Sequence, residues 1–414
     1  MNLAGTSLYT AVSTAITLIS GFVITKIVSV QIGPEGLAYL GQFQNITSIV
    51  SMVASGAIGV GIIKYLAEYN DSPGERQNII TTALYIILVL SCLTSIFVII
   101  NSKWFSMISF HHTGLQPVYL LYGIFLMIIS VNTWFAAVFN GLKEIRKLTL
   151  VNSISAVAGI FFTVYFAKSL GVTGVLIAGN FTALTALLVN IYFSRQLKSI
   201  IWKPSLPHLD RRLLPLFFGF TLMSVTAILT SACSQLLIRE KIITTLSLSE
   251  AGIWQGITRL SDYYLGFIVT VLSVYYLPRL SELREKDELR FEILKGYRLI
   301  LPVMIMMAVL IFLLRGFIVQ LLFTQQFHGM IPLFKFQLMG DVLKIGSWVI
   351  AFIMLAKRLV TIFVITEIIF AASYVLLSFL FIGKFGVVGS TYAFCLNYGF
   401  YWLVMAVLMR KYLR

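Results

Sequence analysis

Long apolar runs, separated by short polar stretches, follow one another along the whole of this 414-residue chain. A helix needs about 20 apolar residues to cross roughly 30 Å of hydrocarbon. Runs of that kind stand near 8–30, 37–63, 79–101, 116–140, 148–168, 174–193, 213–238, 251–278, 296–323, 332–356, 360–382 and 386–409. The pattern predicts an all-α integral membrane protein with about 12 transmembrane helices. Turn residues separate several runs: Gly33-Pro34-Glu35-Gly36, Ser72-Pro73-Gly74 and Gly171-Val172-Thr173-Gly174. No basic stretch or small-residue cleavage site accompanies the first run, which reads as a retained helix rather than a signal peptide.

Composition agrees with the pattern. The chain is 59% hydrophobic and 11% charged, too few charges to cover a soluble globule. A net charge of +15 raises the question of nucleic acid, but Lys and Arg sit in short clusters between apolar runs. That is the arrangement of loops at a membrane surface, so no nucleic-acid partner is expected and the bilayer is. With the N-terminus placed in the cytoplasm, cytoplasmic loops and tail hold 21 of the 31 basic residues. The opposite side holds six: Lys103, Lys168, Arg239, Lys241, Lys335 and Lys384. This bias predicts that both termini are cytoplasmic.

The chain also repeats itself. Phe166-Ala-Lys-Ser-Leu-Gly-Val-Thr-Gly174 matches Phe381-Ile-Gly-Lys-Phe-Gly-Val-Val-Gly389 at an offset of 215. Lys64-Tyr-Leu-Ala-Glu68 parallels Pro278-Arg-Leu-Ser-Glu282 at 214, and Gly36 corresponds to Gly252 at 216. Three matches at nearly one offset imply two parallel six-helix lobes around a central path. The expected division is 1–193 for the first lobe, 194–212 for a basic cytoplasmic linker with Pro204 and Pro207, and 213–414 for the second.

Candidate chemistry is sparse. No GxxxxGK[ST] loop occurs, so ATP hydrolysis is not expected, and external loops are too short to hold a catalytic domain. His111 and His112 read as solvated loop residues, and neither a metal site nor a cofactor is expected. Cys92, Cys233 and Cys395 lie in apolar runs without metal spacing and read as small buried hydrophobes. Intramembrane charges cost several kcal/mol unless paired or facing water. The acids inside spans are Asp262, Asp341 and Glu367; the cations are Lys26, Arg259, Arg315 and Lys344. Arg259 and Asp262 share a helical face, as do Asp341 and Lys344. All four fall roughly 12 to 18 Å deep at about 1.5 Å per residue. This favours a common polar cavity over the alternative of two internal salt bridges. Arg315 can snorkel to the surface. The 215 offset maps Asp341, Lys344 and Glu367 onto Leu126, Ile129 and Asn152, so the second half alone carries intramembrane acids. Trp104, Trp134, Trp202, Trp402 and Tyr412 fall near predicted helix ends, as in an interfacial belt. Trp254, Tyr263, Tyr264, Tyr275, Tyr276 and Trp348 could stack on sugar rings or simply pack.

Five stretches carry a family resemblance: Glu250-Ala-Gly-Ile-Trp-Gln-Gly-Ile-Thr-Arg-Leu-Ser-Asp262, Ser273 through Glu282, Gln337-Leu-Met-Gly-Asp-Val-Leu-Lys-Ile-Gly346, Ser7 through Thr14, and Gly33-Pro-Glu-Gly36. The chain resembles bacterial Wzx-type flippases, the polysaccharide-transporter branch of the multidrug/oligosaccharidyl-lipid/polysaccharide exporter superfamily. These serve O-antigen and enterobacterial common antigen assembly. The resemblance implies two six-helix lobes around a cavity that opens alternately to each side of the bacterial inner membrane. It implies an undecaprenyl-diphosphate-linked oligosaccharide as substrate and no enzymatic step. Polysaccharide polymerase and chain-length regulator are the implied protein partners. On this reading Lys26, Arg259 and Lys344 hold the diphosphate, while Asp262, Asp341 and Glu367 tune those cations or take a coupling proton or sodium ion. A multidrug or small-solute exporter of the same fold, a membrane enzyme of polysaccharide assembly and a non-transporting scaffold remain as alternatives.

Overall fold

A computed structural model describes residues 3–197, 213–283 and 285–413. Every regular element among them is helical: α1 (Leu3–Ser55), α2 (Gly59–Glu68), α3 (Pro73–Ile100), α4 (Ser102–Phe110), α5 (Gln116–Gly141), α6 (Ile145–Ser194), α7 (Leu213–Thr245), α8 (Leu248–Val271), α9 (Leu277–Glu282), α10 (Lys286–Leu322), α11 (Phe334–Ala356), α12 (Val360–Phe385), α13 (Val388–Leu408) and α14 (Arg410–Leu413). A π turn, Leu272–Tyr276, joins α8 to α9, and a 3-10 segment, Gln325–Leu333, leads into α11. Among the described residues, nine helical segments are long and apolar enough to cross a membrane. The protein is a multi-pass membrane protein.

Two of those segments, Val12–Ser55 and Ile145–Ser194, run to 44 and 50 residues. Each is broken once by a glycine: Gly33 in α1 (φ 64°, ψ −165°) and Gly171 in α6 (φ 56°, ψ −130°). These are the two turns that the glycine-rich sequence predicts. The repeated motif adopts the same backbone twice, because Gly386 after α12 has φ 65° and ψ −153°. Three residues on, Gly174 and Gly389 come so close to the carbonyls of Phe166 and Phe381 that neither has room for a Cβ. The second matched pair also shares its local chemistry. Lys64 pairs with Glu68 at 3.7 Å, and Arg279 pairs with Glu282 at 3.5 Å.

Other boundaries differ from expectation. The predicted span 37–63 is interrupted, since α1 ends at Ser55 and left-handed Gly56 and Ala57 precede α2. The short helix α4 follows α3 where no element is predicted. Residues 198–212, with Trp202, Pro204 and Pro207 of the expected linker, lie outside the described residues.

The described chain forms two compact units, one of residues 1–31 and 42–232, the other of 32–41 and 233–414. In the first, α2, α3, α5 and α6 enclose a core that includes Ile62, Leu66, Ile80, Trp134 and Val138. Trp134 is buried there and donates its indole N–H to the Ile80 carbonyl at 3.2 Å. It is a core residue and not the interfacial one its position near a helix end suggests. In the same unit the Asn190 amide donates to Asn132 Oδ1 at 2.9 Å, and the Asn132 amide donates to the Ala183 carbonyl at 2.7 Å. These bonds satisfy amides that hydrocarbon could not.

Outward faces are apolar. On α10, Leu299, Met306, Leu313 and Phe317 are all exposed. In water this would be an error; facing lipid it is the expected surface. Cys92 and Cys233 are exposed in the same way. The expectation of buried cysteines fails for them because an apolar run in a bilayer need not face protein.

Candidate functional site

The second unit gathers most of the intramembrane charge. The start of α8 is fixed by Ser247, whose hydroxyl accepts the Glu250 N–H at 3.1 Å. The sequence Ser247-Leu248-Ser249-Glu250 has the spacing of a capping box. Gly252 lies against the Pro34 carbonyl with no space for a Cβ, which holds the segment 32–41 to α8. On α11, Gly340 and Gly346 admit Phe394 and Trp402 of α13 where any Cβ would crowd them. Small residues at such contacts let helices approach closely in a membrane. Tyr297 of α10 reinforces the junction. It donates to the Gly346 carbonyl at 2.7 Å and accepts the Trp402 indole N–H at 2.9 Å.

Against this frame stands Asp341 of α11, fully buried. Its Oδ2 accepts the Ser261 hydroxyl at 2.8 Å and the Tyr264 hydroxyl, both from α8. Its Oδ1 accepts the Gln337 amide at 3.3 Å, one turn earlier on α11. A carboxylate taken out of water is costly unless its lone pairs are filled, and here three protein donors fill them. One turn further along, Lys344 is half-buried. Its ammonium lies 5.0 Å from the Trp348 ring, 5.4 Å from Tyr398 and 5.7 Å from Phe394. Three ring faces around one ammonium form a cation–π cage.

The carboxyls of Asp262, Asp341 and Glu367 all lie within the field of Lys344, and Asp262 also within that of Arg259. The structure thus brings together Arg259 and Asp262 of α8, Asp341 and Lys344 of α11, and Glu367 of α12. Arg259, Lys344 and Glu367 are half-buried and Asp262 is exposed. Asp341 and Lys344 do share a helical face, yet the hydroxyls and rings from other helices supply much of their surroundings. Lys26 belongs to the first unit, half-buried in α1. Arg315 on α10 donates to the Phe312 carbonyl at 2.6 Å, with its guanidinium 4.1 Å from the Phe312 ring.

One residue was missed by sequence reasoning. Arg239 is assigned there to an outer loop, but α7 continues to Thr245 and carries Arg239 inside the helix, fully buried. Its guanidinium donates to Gln255 Oε1 and lies 5.3 Å from the Trp254 ring. Gly41 packs against both Arg239 and Gln255. Arg239 also lies within the field of Arg259. The signal was available, since the GIWQG stretch supplies an aromatic face and an amide acceptor side by side. Hydropathy ends the span at the arginine because it scores the charge and not its partners. Of the aromatics expected to stack or pack, Trp254 packs on Arg239, Tyr264 bonds Asp341 and Trp348 caps Lys344; Tyr275 is exposed.

A family model described as a polysaccharide biosynthesis protein matches residues 38–332. The chain is 29% identical over 401 residues to the Lipid III flippase of Escherichia coli (strain K12) and to that of Shigella flexneri. Each alignment covers 96% of both chains. Among solved structures, the inward-facing conformation of a multidrug resistance MATE family transporter of the MOP superfamily aligns with a TM-score of 0.79 at 15% identity, covering 97% of this chain and 98% of that one. The inward closed conformation of the Lipid II flippase MurJ aligns with a TM-score of 0.77 at 15% identity, over 98% and 87% of the two chains. At these identities the structural likeness is one of fold.

Proposed function

Because the chain belongs to the polysaccharide biosynthesis protein family, we propose that it is a flippase, moving an undecaprenyl-diphosphate-linked oligosaccharide from the cytoplasmic to the periplasmic leaflet of the bacterial inner membrane. The relatives it matches along nearly their whole length are named as Lipid III flippases, which favours an enterobacterial common antigen or O-antigen unit. The protein is a transporter and forms no covalent intermediate. The likeness to multidrug transporters extends to fold alone.

The observation that carries the site is the meeting of two motifs. Ser261 and Tyr264, from and beside the α8 stretch, hold Asp341 of the α11 stretch, with Arg259 and Lys344 on the same two helices. A diphosphate needs cations in a water-filled cavity. Arg259, Lys344 and Lys26 are our assignment for that role. Asp262, Asp341 and Glu367 tune these cations or take a coupling proton or sodium ion. Polysaccharide polymerase and chain-length regulator are the protein partners this role calls for.

The finer architecture belongs to the same proposal. Dividing α1 and α6 at Gly33 and Gly171, and adding the 24-residue α8, brings the nine apolar segments to twelve. Twelve crossings keep both termini on the cytoplasmic side, as the basic loops favour. The proposed lobes are 1–193 and 213–414, joined by 194–212 and working by alternating access.

The test is complementation of a strain that lacks its own flippase for a lipid-linked oligosaccharide. Expression of this chain is expected to restore the surface glycan and clear the intermediate from the cytoplasmic leaflet. Arg259→Ala and Lys344→Ala are each expected to leave it there. No restoration by protein present in the membrane would overturn the function. Restoration by both variants at the wild-type level would overturn the site.

A further inference from the structure

We infer that a groove between α10 and α11 binds one acyl chain of an anionic phospholipid, whose headgroup phosphate meets Lys335. A cavity of about 440 Å³ lies between these helices. Ile305, Ala308 and Phe312 form part of one wall; Leu343, Val342 and Lys335 form part of the other. Lys335 is the one charged residue in this lining. Pro302, inside α10, lies one turn before Ile305. It removes a backbone donor there.

The groove has a polar end and an apolar end. Lys335 is the second residue of α11 and its side chain is exposed. Its ammonium lies 5.4 Å from the Phe336 ring. From Lys335 to Leu343 the wall runs eight residues, about 12 Å along a helix. One leaflet offers about 15 Å of hydrocarbon, half of roughly 30 Å. The groove therefore spans most of one leaflet, with a cation near headgroup level and hydrocarbon contacts below it. The neighbouring face of α10 presents exposed Met306 and Leu313, so the groove opens towards lipid.

These features select the occupant. A water-soluble ligand would leave its polar atoms without partners along walls that offer only Lys335. A zwitterionic lipid would gain less from the lone cation than an anionic one. A polyprenyl chain is much longer than one leaflet, whereas a phospholipid chain held by its phosphate at Lys335 reaches the inner end.

The test is native mass spectrometry on the full-length protein in detergent, titrated separately with phosphatidylglycerol, phosphatidylcholine and undecaprenyl phosphate. Wild type is expected to retain phosphatidylglycerol more tightly than phosphatidylcholine. Lys335→Ala is expected to weaken phosphatidylglycerol binding about fivefold, the worth of one basic residue near anionic lipid, and to leave phosphatidylcholine unchanged. Ala308→Trp and Val342→Trp fill the groove from opposite walls and are expected to remove the tight equivalent. Either suffices if the other fails to fold. Equal retention of both phospholipids, or phosphatidylglycerol binding that none of the variants changes, would mean annular lipid and overturn the assignment. Displacement of phosphatidylglycerol by undecaprenyl phosphate at lower concentration would give the groove to the isoprenoid and overturn it too.

Discussion

Tyr264→Phe removes one hydroxyl donor from the Asp341 carboxylate and leaves the ring in place. Asp341 is fully buried, and its remaining protein donors, Ser261 at 2.8 Å and Gln337 at 3.3 Å, are already committed. Hydrogen bonds to charged groups contribute about 1.5–3 kcal/mol. Polar pairs inside membrane proteins average about 0.6 kcal/mol and reach about 1.7. Full burial and a charged acceptor put this pair near the overlap, about 1.5 kcal/mol. The assay is a double-mutant cycle of unfolding free energies in detergent, using Tyr264→Phe, Asp341→Ala and the double variant. An interaction energy of about 1 kcal/mol or more is expected. A value within the ordinary additivity error of about 0.3–0.5 kcal/mol would refute the claim that this hydroxyl holds the carboxylate. Asp341→Asn supplies the functional half of the test. It removes one charge from a cluster that keeps Lys344 and turns an NH2 towards groups that already donate, so both stability and flipping are expected to fall. Flipping at the wild-type rate in that variant would remove Asp341 from the mechanism.

Three further outcomes are expected. Trp348→Leu opens the cage around Lys344 and should cost about 1–2 kcal/mol, the range for a desolvated cation–π contact; unchanged melting in detergent would argue that the ring is only filler. Arg239→Met leaves Gln255 without its guanidinium partner and should cost about 1–3 kcal/mol. Arg239→Lys should recover only part, because an ammonium cannot stack as a planar guanidinium does; full rescue by Lys would contradict the geometry. Gly171→Ala and Gly386→Ala place a Cβ in open space at φ 56° and φ 65°. Each should cost about 1–3 kcal/mol of backbone strain alone, and the two losses should match; a loss at only one would show that the repeated turns differ in role.

The charge cluster was partly legible in the sequence. Depth along a helix follows from residue count, so the positions of Arg259, Asp262, Asp341 and Lys344 along the chain already put them at one level. Their partners could not be read in that way. The sequence suggests ion pairs three residues apart, whereas Asp341 takes hydroxyls from α8, and the rings around Lys344 come partly from α13. Helix neighbours on one chain segment are set by periodicity; neighbours on another helix are set by packing, and Gly340 and Gly346 are what let α13 approach.

Hydropathy by itself determined that this chain crosses a membrane many times, because a bilayer imposes one length and one polarity on whatever spans it. Glycine placement determined where two of the long spans break, because φ near +60° is open to few other residues. Which apolar residues face lipid and which face protein was left undecided, since both surroundings are apolar. Only the tertiary structure turned Trp134 inward and Cys92 and Cys233 outward. It also drew Arg239 out of an expected loop and into the helix interior, where a ring face and an amide oxygen offset the cost of burying its charge.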